Sequence, residues 1–170
     1  AEALTALTTG AGNIAIGYEA GKNITTGTSN TIIGHEAGQN QDDNTSNTII
    51  GYRANQSGTS GAGDYNTAVG AQCLGQQATT TGGSNTVVGA GTLAYCTSGN
   101  ANVAIGNNAS NALTTATSNV AVGSRALLTH TTGQYNTVIG EGAMRDTDAG
   151  SNSLDSDHNV FIGWASGGGA

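Results

Sequence analysis

The chain has 170 residues with a formal net charge of −7, 28 glycines, no proline, and only 36% hydrophobic and 9% charged side chains. Its few cations, Lys22, Arg53, Arg125 and Arg145, are too scattered to displace counterions from phosphates, which argues against nucleic acid and anionic membrane surfaces as partners. No apolar run approaches the length of a membrane span, and low charge without proline argues against disorder.

The polar residues are mostly Asn, Thr, Ser and Gly, which build tight turns. Residues 2–13 align with 19–30 at an offset of 17, so 1–12 reads as half of a repeating coil. The first full unit opens at Asn13 with Asn-Ile-Ala-Ile and closes its strand at Gly17. Eight further copies follow in order: Asn30 to Gly34, Asn47 to Gly51, Asn66 to Gly70, Asn85 to Gly89, Asn102 to Gly106, Asn119 to Gly123, Asn136 to Gly140 and Asn159 to Gly163. Steps between successive glycines are 17 or 19 residues, and 23 for the last. Three residues after each Gly comes a small side chain, from Ala20 through Cys73 and Thr92 to Ser166, and then a polar turn such as Thr25-Thr26-Gly27.

Each unit therefore predicts a short strand, a glycine corner, a second short segment and a turn back. A unit this short cannot bury its own apolar face, so the units must stack. The expected fold is all-β: a single array over 1–170, a parallel β-solenoid or β-roll of about nine coils of 17–23 residues. At strand spacings of ~4.7–4.9 Å, nine coils make a rod on the order of 40–45 Å long. Helix is rejected because the apolar clusters are β-branched, three residues long and bracketed by Asn and Gly.

Side chains alternate faces along a strand. The residues three and one before the Gly are assigned here to the coil interior, which turns the residue between them outward. That middle residue is apolar in every copy, from Ala15 to Phe161, so a covering partner is expected, and a homotrimer is the form inferred. The recurrent Asn is expected to form an amide ladder, with a row of ligand-binding amides as its alternative. The recurrent Gly is expected to mark a corner needing positive φ or no side chain.

Two families of surface fibre resemble these repeats. The segment Asn66 to Gly70, Asn-Thr-Ala-Val-Gly, and the Gly17-Tyr18-Glu19-Ala20 corner resemble the repeats of bacteriophage tail fibres, especially those of marine phages. Asn102-Val-Ala-Ile-Gly106 and Asn119-Val-Ala-Val-Gly123 are similar to the head repeats of trimeric autotransporter adhesins. The adhesin resemblance implies a left-handed, trimeric β-roll that binds host surfaces, located outside the cell or on a virion. Asn stands where the adhesins have Ser, the period is longer, and the stalk and anchor are missing, which shifts weight toward a phage fibre or another extracellular filament. The chain opens on Ala1 in mid-coil, so either a longer fibre continues it or copies stack head to tail as a filament.

Position one after the Gly carries Tyr18, His35, Tyr52 and Trp164, candidates for contact with a receptor such as a cell-surface glycan, against packing or solvation as the plainer reading. Asp146, Asp148 and Asn152 alternate around Gly150 in the longest insertion. They are a weak Ca²⁺ candidate, without the distal Glu of a calcium loop; no other cofactor or metal is expected. His35, His130 and His158 fall at unlike repeat positions, which disfavours a shared metal site. Cys73 and Cys96 are read as unpaired small fillers, with a disulfide as the alternative. Thr8, Thr25, Thr114 and Thr131 occupy equivalent positions and raise ice binding as a further reading. No constellation for nucleophilic or acid–base catalysis stands out, so no enzyme is expected.

Overall fold

Three-residue strands recur between Asn and Gly throughout the computed structural model, which describes residues 2–57, 63–76, 82–145 and 156–167. They are β1 (Ile14–Ile16), β2 (Thr31–Ile33), β3 (Thr48–Ile50), β4 (Thr67–Val69), β5 (Thr86–Val88), β6 (Val103–Ile105), β7 (Val120–Val122), β8 (Thr137–Ile139) and β9 (Val160–Ile162). β-Branched residues at their first and third positions suit extended backbone. No helix occurs among the described residues.

The strands form one sheet in sequence order, from β1 to β9. Every neighbouring pair is parallel and keeps one register: Ile14 lies beside Thr31, Thr31 beside Thr48, and Thr137 beside Val160. The longer steps, into β4, β5 and β9, keep that register too. Backbone hydrogen bonds join successive coils beyond the strands as well, as from Glu36 N–H to the Tyr18 carbonyl at 2.8 Å and from Thr114 N–H to the Thr131 carbonyl at 2.9 Å. Sequential parallel strands, one per coil, define a parallel β-solenoid.

The strand faces are the reverse of the sequence expectation. The middle residue points inward: Ile32, Ile49, Ala68, Val87, Ala104, Ala121 and Val138 are fully buried. The first and third residues look outward, with Ile16 at 59% and Ile162 at 67% exposure on the outermost strands and Ile105 at 38% between them. The reason is chemical. Five strands open with Thr, whose hydroxyl tolerates water, whereas the middle position is never polar.

Inside, the middle residue packs against the residue four after the corner Gly. In four coils a large partner faces a small one: a side chain at Gly38 would meet Ile32 Cδ1 at 3.1 Å, and Gly167 lies against the Phe161 ring. Where the strand offers Ala68 or Ala121, the partner positions hold Leu74 and Leu127, both fully buried. In other coils the pair is matched in size, as Val87 with Leu93 and Ala104 with Ser110. The small residue three after the Gly is buried as well, at Ala20, Ala37, Ala54, Cys73, Thr92, Ala109, Ala126 and Ala143.

The corner glycines need both of glycine's properties. Gly106 has φ +132°, and a Cβ there would sit 2.5 Å from the Gly123 carbonyl oxygen. The same stacking recurs from Gly17 to Gly140.

The recurrent asparagines form the ladder. Each Oδ1, from Asn13 to Asn136, accepts the backbone N–H of the next Asn in the column at 2.8–3.0 Å. In Asn30, Asn85, Asn102, Asn119, Asn136 and Asn159 the Nδ2 also donates to the preceding Oδ1 at 3.0–3.2 Å. A second Nδ2 proton closes the coil onto its turn, as from Asn102 to the Ala116 carbonyl at 2.9 Å and from Asn119 to Gly133 at 2.8 Å. Asn47 makes only the acceptor half, and its Nδ2 is buried without a partner among the described residues.

Candidate functional site

With the ladder consuming the repeated residues, contact chemistry falls to side chains on the outer strips. The residue after each corner Gly projects outward, and backbone bonds from Glu36 to Tyr18 and from Arg53 to His35, at 2.8 and 2.9 Å, hold successive coils in line there. This alignment brings Tyr18, His35 and Tyr52 into a column of tilted rings. Ring centroids are 5.0 Å apart for Tyr18 and His35 and 5.6 Å for His35 and Tyr52. The Arg53 guanidinium lies 5.1 Å from the centre of the Tyr52 ring. All three rings are exposed and form a ridge that a partner can reach.

A charge network flanks the ridge. Lys22 Nζ lies 2.7 Å from Glu19 and 3.3 Å from Glu2, and Arg53 Nε lies 2.6 Å from Glu36. Gln56 donates to Glu36 at 2.8 Å, and Gln39 donates to Glu19. The Lys22 ammonium holds the Glu19 carboxyl below its usual range, and Glu19 in turn raises the Lys22 ammonium and the Tyr18 phenol. These charges face one another, so the network braces the first three coils.

Trp164 does not join the ridge. It is 81% exposed at β9, and the intervening coils carry Ala71, Ala90, Asn107, Ser124 and Glu141 at its position. A second ring pair, Tyr135 stacked on His158 at 4.9 Å, lies before the Asn ladder and had no counterpart in the sequence reading. Its signal was the equivalence of the two positions, each one residue ahead of the recurrent Asn.

The candidate calcium residues Asp146, Asp148 and Asn152 lie outside the described residues. Among the described residues no group of three or more His, Cys, Asp or Glu is placed to hold a metal ion. Cys73 and Cys96 are buried thiols, not joined in a disulfide, and burial pushes them up to about 12 and about 11. His130 is buried beside the Ser156 hydroxyl at 3.1 Å. Three of the four aligned threonine hydroxyls are committed within the protein: Thr8 and Thr114 donate to the carbonyls of Thr25 and Thr131, and Thr25 donates to Asp42.

Fold and site together define a parallel β-solenoid repeat protein with an aromatic ridge on its first three coils. The chain matches no protein-family model, no curated protein and no solved structure.

Proposed function

We propose that this chain is the rigid shaft or head of an extracellular or virion-surface fibre, such as a bacteriophage tail-fibre segment, which attaches to a host surface and catalyses no reaction. The observation that carries this reading is the division of labour in the repeat. The recurrent Asn, Gly and small residues lock one coil to the next, while the residue after each corner Gly changes from coil to coil, from Tyr18 and His35 to Ala90 and Glu141. Such a rod holds exposed groups at fixed spacing, which suits presentation. The ridge of Tyr18, His35 and Tyr52 is the proposed contact, with a cell-surface glycan as its partner, since aromatic faces pack on the apolar side of a sugar ring. A glycan array tests this: binding is expected for the native chain and lost on combining Tyr18→Ala with Tyr52→Ala, and an unchanged pattern overturns the assignment.

A left-handed homotrimer is the proposed working form. Its support is the outward row of strand residues, which is uncharged and repeats at the coil spacing, a spacing that a second copy shares. Sedimentation equilibrium should show three chains per particle, broken by Ile105→Lys; a monomer at all concentrations refutes it. A filament of end-to-end copies is the alternative assembly, with β9 of one copy adding parallel to β1 of the next as every neighbouring pair in the sheet does. Electron micrographs of filaments would favour that assembly, and isolated short rods would refute it.

A further inference from the structure

The residues two and five after each corner glycine form another outer strip of the solenoid. In the first three coils it holds Glu19 with Lys22, Glu36 with Gln39, and Arg53 with Gln56, the braced network described above. In the fifth coil the same places hold Gly91 and Ala94. The missing side chains open a groove of about 480 Å³, within the roughly 300–1,000 Å³ of small-ligand sites.

Amides wall the groove. Gln72 and Gln76 come from the coil before, Asn108 and Asn111 from the coil after, and Tyr95 stands beside them, 48% exposed. No charged residue lines it among the described residues. The floor is tied by ladder bonds, from Gln76 N–H to the Ala94 carbonyl at 2.7 Å and from Tyr95 N–H to the Asn111 carbonyl at 3.1 Å.

Three of the amides are oriented through their nitrogens. Gln76 Nε2 donates to the Arg53 carbonyl at 2.8 Å, Asn111 Nδ2 to the Gly91 carbonyl at 2.6 Å, and Asn108 Nδ2 to Asn107 Oδ1 at 2.9 Å. Their carbonyl oxygens are thereby presented as acceptors, and Asn108 Oδ1 lies where a side chain on Gly91 would begin. The Gln72 amide makes no side-chain hydrogen bond among the described residues, so it can both donate and accept. Fixed acceptors call for a ligand rich in donors. Without a cation in the wall an anion is unfavoured, and without a carboxylate a metal ion is poorly held.

We propose that this groove binds a neutral saccharide, with one sugar ring packed on Tyr95 and its hydroxyls donating to the amide oxygens of Gln76, Asn108 and Asn111. The site is separate from the Tyr18–His35–Tyr52 ridge and does not rest on the fibre reading.

Calorimetric titration of the full chain with chitotriose, maltotriose, mannotriose and the acidic trigalacturonate tests it. At least one neutral trisaccharide is expected to bind, and trigalacturonate to bind more weakly. Tyr95→Ala should weaken binding about tenfold, the scale of one lost ring contact. Gly91→Gln restores the side chain that Gln72 carries at a similar backbone angle, φ +53° against +64°. It should abolish binding at the cost of a modest drop in melting temperature, since the new side chain takes a left-handed φ and Asn108 Oδ1 must move out of its path. Failure of every neutral trisaccharide to bind at millimolar concentration overturns the proposal, as does native affinity in Gly91→Gln. Binding lost in Tyr52→Ala but kept in Tyr95→Ala also overturns it, and leaves the ridge standing as the contact.

Discussion

Replacing Asn102 by alanine removes four hydrogen bonds from the middle of the ladder. Its Nδ2 donates to Asn85 Oδ1 at 3.1 Å and to the Ala116 carbonyl at 2.9 Å, and its Oδ1 accepts Asn119 N–H at 3.0 Å and Asn119 Nδ2 at 3.2 Å. Two of these losses matter most. Asn85 Oδ1 keeps the bond from the residue 102 N–H, and Asn119 Nδ2 keeps Gly133. The Asn119 N–H and the Ala116 carbonyl lose their partners. At about 1–3 kcal/mol for each orphaned buried group, the expected loss is about 4 kcal/mol. Aspartate separates the two halves of the role. It still accepts from Asn119 N–H, but its carboxylate would face the Asn85 Oδ1 and Ala116 oxygens with no proton to offer.

Burial and those oxygens should raise the folded pKa of the carboxyl introduced by Asn102→Asp above its unfolded value of about 3.9. The raised-pKa rule then gives the sign: the variant's stability is fully present below about pH 3.9 and is lost as pH rises through the folded value. The deficit of Asn102→Asp against the native chain, measured by urea denaturation followed by circular dichroism, should therefore shrink in acid and grow toward neutrality. Amide exchange at residue 119 should quicken by about 10³-fold in Asn102→Ala, the equivalent of about 4 kcal/mol. A loss below about 1 kcal/mol in Asn102→Ala, or a deficit in Asn102→Asp that does not change with pH, would refute the ladder argument.

Corner glycines should respond by position. Gly106→Ala meets both an unfavourable φ and the Gly123 carbonyl, whereas Gly163 has φ +124° but nothing within 4 Å of its added Cβ. Gly106→Ala is expected to lower the melting temperature well beyond Gly163→Ala, and equal losses would count against carbonyl crowding. Ala101 sits at φ +54° one residue before the ladder, where the first coil uses Gly12. Ala101→Gly should therefore stabilise by about 1 kcal/mol, read from denaturant midpoints. With its thiol raised to about 12 by burial, Cys73 should resist Ellman's reagent at pH 8 until the chain unfolds. The stability held by that neutral thiol is fully present below its unfolded pKa of about 8.5 and is lost as pH climbs from there toward about 12. Cys73→Ala should flatten that alkaline loss, and a slope unchanged in the variant would reject it.

The strands and their parallel stacking were legible because Asn and Gly recur at every coil, each under a constraint that no other residue meets. Which strand face turned inward was misassigned, yet two signals for it were in the residues. Thr occupies the first strand position at Thr31, Thr48, Thr67, Thr86 and Thr137, while the middle position is never polar. In four coils the middle residue also trades size with the residue four after the corner, as Ile32 does with Gly38 and Ala121 with Leu127. Reciprocal size marks contact. The aromatic ridge was legible from its spacing, because coil alignment brings Tyr18, His35 and Tyr52 together; the same alignment keeps Trp164 apart. The amide groove was not, because it arises from side chains that Gly91 and Ala94 lack, and an absence shows only once neighbouring coils are laid over one another.

The constant register across steps of 17, 19 and 23 residues has an evolutionary consequence. A duplication or deletion of one whole coil lengthens or shortens the rod by about one strand spacing and leaves every other rung where it was. A few residues gained in a connection leave the strand pairing unchanged. Reach and surface decoration can thus be inherited as independent traits, one counted in coils and the other rewritten between them.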